Sequence, residues 1–99
     1  MDIEIPHDLG AAEARRRIEN GLPKLEQHIP GGGSLDAEWK TETELAMEIK
    51  AMGQKVPVII HVLDDRLDTH VTIPPFLKMM SGQIGDFVRL SAEKMLASG

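Results

Sequence analysis

Apolar and polar residues alternate along the chain from Leu35 to Ile73, and the pattern then changes to a helical period. Alternation is typical of a strand with one buried face, whereas apolar residues three or four apart are typical of a helix. The alternating stretch is interrupted at Thr41 to Thr43, at Met52-Gly53 and at Asp64-Asp65, and these interruptions suit short hairpin loops. The sequence therefore predicts four antiparallel strands followed by a helix.

The same alternation predicts how the strands pair. With those three loops, the apolar residues of each strand lie opposite the apolar residues of its neighbour in every hairpin, which gives one apolar face. The predicted apolar faces are Leu35, Ala37 and Trp39, then Leu45, Met47, Ile49 and Ala51, then Val56, Val58, Ile60 and Val62, then Leu67, Val71 and Ile73. Pro57 cannot donate to a strand ladder, so it is predicted at an edge, a bulge or a non-bonded position.

The front of the chain predicts a short strand and one helix. Asp2 to Pro6 alternates and ends in proline. From Gly10 the apolar residues follow a helical stripe. Gly10 is a suitable N-cap, which would place the Glu13 carboxylate near the free amides of the first turn, and Asp8 is the other candidate. The stripe contains Ala11, Ala14, Ile18, Leu22, Leu25 and Ile29. Pro23 predicts a kink or a restart near Gly21, because its ring removes one hydrogen bond and clashes with a carbonyl of the preceding turn.

The final helix is predicted to begin at Pro74-Pro75 and to run to about Ala97, since proline suits a first helical turn. Its apolar residues cover about half of the circumference, more than the roughly 100° needed to pack on one sheet. Two interpretations follow. The helix is either clamped between the sheet and the first helix, which the usual burial of wide apolar arcs favours, or it keeps part of its surface for a partner.

These elements predict an α+β fold in a single domain, residues 1–99. The order is β-α-β-β-β-β-α, with an antiparallel meander sheet and both helices packed on one face. A chain of 99 residues has room for one hydrophobic core. The pattern leaves the place of the N-terminal strand in the sheet open.

Composition excludes several classes of function. Eleven basic residues against sixteen acidic ones give a net charge of -5, and the chain has one Trp, two Phe and no Tyr, so nucleic-acid binding is not expected. The absence of cysteine excludes disulfides and thiol catalysis. The first residues have neither a basic nor an apolar leader segment, and no apolar run approaches the ~20 residues of a membrane span. A cytoplasmic protein without a membrane span is expected.

One polar cluster has acid/base potential. The predicted register places Glu44, His61 and Asp68 side by side on the polar sheet face, with His70 one row away beside Ile59. A histidine between two carboxylates would have a raised pKa, and such a group can take part in general acid/base chemistry or hold a metal loosely. Facing opposite charges are also the ordinary way to solvate an outer sheet face, which favours a structural role. We expect no catalytic residue, no metal site and no cofactor.

A short motif near the front of the chain carries a family resemblance. Ile5-Pro6-His7-Asp8-Leu9-Gly10, followed by Glu13-Ala14-Arg15, resembles the opening signature of the small bacterial polyhydroxyalkanoic acid system proteins. The resemblance implies a role at or near polyester storage granules and supplies no catalytic residues. His7, Leu9, Gly10 and Glu13 match the signature, and at a helix start such residues are expected to serve local hydrogen bonding.

Three functional hypotheses follow. The first is a non-enzymatic accessory protein that binds a granule surface or a granule protein through exposed residues of the final helix, namely Phe76, Met80, Phe87 and Leu90. The second is a binder of small apolar ligands, acyl chains or hydroxyalkanoates, in a cavity lined by Met47, Ile60 and Ile84. The third is a weak enzyme that uses His61 and Asp68. The wide helix arc and an uncovered sheet edge also offer surface for a homodimer.

Overall fold

The structure, a computed structural model, describes residues 1–29, 32–51 and 53–97. Strand β1 spans Asp2–Pro6 and helix α1 spans Ala11–Gln27. The strands β2 (Ser34–Trp39), β3 (Glu44–Ala51), β4 (Gln54–Val62) and β5 (Arg66–Val71) follow. A 3₁₀ helix (Pro75–Met80) leads into helix α2 (Ser81–Ala97). The predicted element order and α+β class are confirmed.

The five strands form one antiparallel sheet in the order β1-β5-β4-β3-β2. The three hairpins have the predicted register, because Trp39 lies opposite Leu45, Leu45 opposite Ile60, and Ile60 opposite Thr69. Two of the predicted loops, at residues 41–43 and 64–65, are seen directly, whereas Met52 of the third lies outside the described residues, as do Pro30 and Gly31 of the glycine-rich connector. The sequence left β1 unplaced, and the structure pairs it with β5 at the sheet edge.

Pro57 occupies a non-bonded position, one of the three alternatives that the sequence left open. It lies opposite Glu48 in the β3–β4 ladder, while its carbonyl accepts a hydrogen bond of 2.9 Å from the Thr72 amide on the other side. The nitrogen and carbonyl of one strand residue point the same way, so the missing donor faces the chain just beyond the end of β5. The proline therefore costs the sheet no ladder bond with β3.

The core lies between one sheet face and the two helices. Its fully buried members come from every strand of the sheet except β2 and from α1, and include Ile5, Ile18, Leu45, Val58, Ile60, Val62, Leu67 and Val71. Helix α1 does not restart near Gly21 but continues past Pro23, whose side chain is exposed. Burial of Ile18 and Leu25 on either side of the proline holds both halves of the helix on the same core.

The final helical segment differs from the single helix that the sequence predicts. Residues 75–80 are a 3₁₀ helix, and the α-helix begins only at Ser81. Two consecutive prolines at its start lock the backbone and supply no amide donors, which suits a tighter first turn. Within the described residues, neither helix combines the length with the apolar character needed to cross a membrane.

Candidate functional site

Exposed apolar side chains concentrate in the final helical segment. The exposed fraction is 77% for Phe76, 97% for Met79 and 56% for Leu90. Full burial of a Phe, Met or Leu side chain is worth about 1.5–3 kcal/mol, so the structure leaves this stabilisation unused. Phe76 and Leu90 were both named from the sequence as interaction residues, and both are accessible.

The other two named residues, Met80 and Phe87, are half-buried and pack against the core. The reason lies in the 3₁₀ geometry of residues 75–80, in which side chains three apart share one side. Leu77 is buried, so Met80 follows it towards the core, whereas Met79 falls on the same side as exposed Phe76. Met80 was named from the sequence as an exposed residue, whereas the structure exposes Met79 and half-buries Met80.

A groove with a volume of about 550 Å³ runs between the two helices. It is lined from α1 by Gly21, Lys24, Leu25 and His28, and from α2 by Phe87, Leu90, Ser91, Lys94 and Met95. Buried Gly21 lies directly against the Met95 side chain, so the absence of a side chain at position 21 sets how closely the helices approach. Nearby, the Arg17 guanidinium donates to the Leu96 carbonyl and ties α1 to the last turn of α2.

The groove is not where the sequence placed a ligand cavity. Of the three residues predicted to line one, Met47 and Ile60 are buried in the core and Ile84 is packed against it. None of the three lines the groove. Met47 and Ile60 are core residues under the sheet, and the opening lies instead between the two helices.

The residues of the polar cluster lie opposite one another in the sheet as predicted, but the structure describes no hydrogen bond from His61 to either carboxylate. Glu44 lies opposite His61, and His61 lies opposite Asp68. The His61 Nδ1 is 3.8 Å from the Glu44 Oε1, too far for a hydrogen bond, and the His61 side chain is 51% exposed. Asp68 instead accepts a hydrogen bond of 3.1 Å from the Arg66 Nε. Arg66, two residues away on the same face of the strand, thus pairs with the carboxylate that His61 would need if it acted as a general base.

His70 lies opposite Ile59, as predicted, and its ring pairs with a residue that the sequence could not place beside it. The His70 Nδ1 is 2.5 Å from the Asp2 Oδ1, because β1 pairs with β5. This hydrogen bond lowers the pKa of the Asp2 carboxyl below its ordinary value. With Glu4, His61 and Asp68, the pair lines an open depression on the outer sheet face. Across the described ranges, no three His, Asp or Glu side chains are grouped closely enough to hold a metal ion.

The signature residues surround the start of α1 and dock it on the β4–β5 hairpin. The Leu9 amide donates to the His7 Nδ1 at 3.1 Å, and Leu9 packs against the core. Gly10 has a φ of 80°, which a side chain would strain. The first helical amide, that of Ala11, donates to the Asp64 Oδ1 at 3.1 Å. Asp64 thus caps α1 from 53 residues away, a role for which no local sequence signal exists.

Glu13 does not satisfy the free amides of the first turn, as its position suggested. Its carboxylate accepts hydrogen bonds from the Arg16 Nε at 2.9 Å and from the Arg17 Nε at 2.8 Å. The hydrogen bonds from Arg16, and then those from Arg17, lower the pKa of Glu13 from 4.5 to about 2. Because Arg17 also binds the Leu96 carbonyl, Glu13 supports the contact between the two helices.

This depressed pKa predicts a pH-dependent contribution to stability. The unfolded chain protonates Glu13 near pH 4.5 and the folded chain near pH 2, so the contribution is complete above pH 4.5 and is lost as the pH falls towards 2. We expect Glu13→Gln to lower the urea midpoint at pH 7 and to have little effect at pH 2. Glu19→Gln, at an exposed position of the same helix, is the control and should show no such convergence. A constant difference from pH 7 to pH 2 would contradict the prediction.

Comparison with known proteins extends the resemblance to nearly the whole chain. The model of a protein family described as "Putative polyhydroxyalkanoic acid system protein" matches residues 1–96. No curated protein and no solved structure matches the chain.

Proposed function

The chain belongs to the family of polyhydroxyalkanoic acid system proteins, and from this premise we propose that it is a non-enzymatic accessory protein of polyhydroxyalkanoate storage. In this proposal it associates with granules in the cytoplasm, or with proteins on them, through its final helical segment. The observation that carries the proposal is the exposure of Phe76, Met79 and Leu90 on that segment.

A polyester surface is apolar and uncharged, so exposed apolar side chains would lose contact with water on binding it. A granule protein would bury the same side chains in the centre of an interface. The His61 side chain is half exposed and is too far from Glu44 for a hydrogen bond. A general base needs a partner that orients it and a site that excludes water, so this geometry supports a role without catalysis.

The test is co-sedimentation of the purified protein with isolated polyhydroxyalkanoate granules, with and without their native protein coat. We expect the double variant Phe76→Asp/Leu90→Asp to reduce the bound fraction about tenfold or more, since each side chain would contribute about 1.5–3 kcal/mol on burial. Both residues are exposed, so the variant should keep the wild-type melting temperature.

Ala12→Asp/Asn20→Asp is the matched control, because it adds the same two negative charges at exposed positions of α1. Binding of the wild type to stripped granules would indicate direct recognition of the polymer, and binding only to coated granules would indicate a protein partner. Normal sedimentation of the folded double variant would exclude the final helical segment as the binding surface.

A second candidate function is the binding of a small apolar ligand. The groove between α1 and α2 favours it, because a volume of about 550 Å³ lies within the range of roughly 300–1,000 Å³ usual for small-ligand sites. Phe87 and Leu90, two of the predicted interaction residues, line this groove. The two candidate functions therefore share part of α2.

A further inference from the structure

The groove between α1 and α2 has a charge opposite to that of the whole protein. The net charge of the chain is -5, yet the groove is lined by Lys24 and Lys94, one from each helix, and by no acidic residue among those described. Neither lysine has an ion-pair partner in residues 1–29, 32–51 and 53–97.

Several other cations of the protein are neutralised locally. Arg16 and Arg17 bind Glu13, Lys50 binds Asp36, and Arg66 binds Asp65 and Asp68. Lys24 and Lys94 are exposed and have no carboxylate partner in the described part of the chain, so the groove is a positively charged surface site. Attraction of an anion to it would be long-ranged at low salt and screened at high salt.

Apart from the two lysines, His28 and Ser91, the residues that line the groove are apolar or glycine. Leu25 is buried at its floor, Phe87 is half-buried, and Leu90 is 56% exposed. We propose that the groove binds a single-chain amphiphile with a carboxylate head group, its acyl chain lying along Leu25, Phe87 and Leu90 and its carboxylate beside Lys24 and Lys94. This inference rests on the second candidate function and names the class of ligand.

Charge and size decide between occupants. A neutral polymer chain has no group for the lysines, and burying the groove under one would leave both ammonium groups without a counter-charge. A free acid supplies that charge, and the Ser91 hydroxyl at the groove can donate a hydrogen bond to the same carboxylate. A volume of about 550 Å³ is the size of a small-ligand site, which favours a soluble acid over a protein segment.

The test compares decanoate with its uncharged analogue decanol by isothermal titration calorimetry, with decanoate kept below its micelle concentration. We expect the wild type to bind decanoate about tenfold more tightly than decanol, the contribution of two partly exposed ion pairs. In Lys24→Gln/Lys94→Gln that preference should disappear, while the affinity for decanol should stay unchanged. Added NaCl should weaken the binding of decanoate alone, a readout that needs no variant.

Lys55→Gln is the matched control, because Lys55 is exposed on β4, has no ion-pair partner among the described residues and lies off the groove. It should keep the full preference for decanoate. Equal affinity of the wild type for decanoate and decanol would overturn the proposed head-group recognition while leaving apolar ligand binding intact. Failure to bind either compound would overturn both. Granule sedimentation of the lysine variant reports separately on the leading proposal.

Discussion

Ile18→Ala is expected to lower the free energy of unfolding by about 2–5 kcal/mol, because the substitution leaves a cavity that surrounding side chains fill only in part. Ile18 lies in α1 and is a fully buried member of the core. Domains of this size have a total stability of about 5–15 kcal/mol, so the loss is a large share of the whole. Urea denaturation measures it directly, and the melting temperature should fall by roughly 10 °C or more.

Asn20→Ala, at an exposed position of the same helix, is the control for effects of helix propensity. It should change the stability by no more than about 0.5 kcal/mol. A similar effect of both substitutions would mean that α1 is not held by the core, and the assigned packing of the helices would then be wrong.

Gly21→Ala is expected to destabilise the protein by about 1–3 kcal/mol, although alanine is ordinarily the better helix residue by ~1 kcal/mol. A β-carbon at this position would overlap the Cγ and Sδ atoms of the Met95 side chain, so either the side chain or the helix must move. Gly82→Ala provides the matched comparison, since a β-carbon there meets no atom within 4 Å. It should leave the free energy of unfolding unchanged or raise it slightly, whereas Gly21→Ala should lower it.

A double-mutant cycle isolates the contact with Met95. In a Met95→Ala background the added β-carbon has space, and Gly21→Ala should become neutral or stabilising. Equal costs in both backgrounds would show that position 21 is sensitive for a reason other than the approach of the two helices. Because Gly21 lines the groove, the same variant should also reduce the ligand binding proposed above.

The sheet could be predicted in detail because its information is local. Each hairpin loop is short, and one buried face allows only one register, so the alternation around Leu45, Ile60 and Leu67 was sufficient. The N-terminal strand has no such constraint. Its pairing with β5 depends on where α1 carries the chain, and alternation within Asp2 to Pro6 says nothing about its neighbour.

The site was predicted less completely, for two physical reasons. The 3₁₀ geometry of residues 75–80 shifted the exposed side from Met80 to Met79, although the two prolines could have signalled a tighter turn. The sequence did not predict the groove, because a gap between two helices depends on their separation, which no local sequence pattern specifies. Gly21 within the apolar stripe of α1 was an available clue, since a small residue on a buried helix face allows another helix to approach.

Strand β1 pairs with β5, so it cannot take its place in the sheet until a much later part of the chain has been synthesised. Ile3 and Ile5 are synthesised some sixty residues before the strand that lies opposite them. At roughly 5–20 residues per second, an apolar segment remains without its neighbour for several seconds. The carboxylate of Asp64 that caps α1 arrives equally late. Strand β1 and the start of α1 are thus completed by residues made much later, and a nascent chain released before residue 64 would expose both the unpaired strand and the uncapped helix.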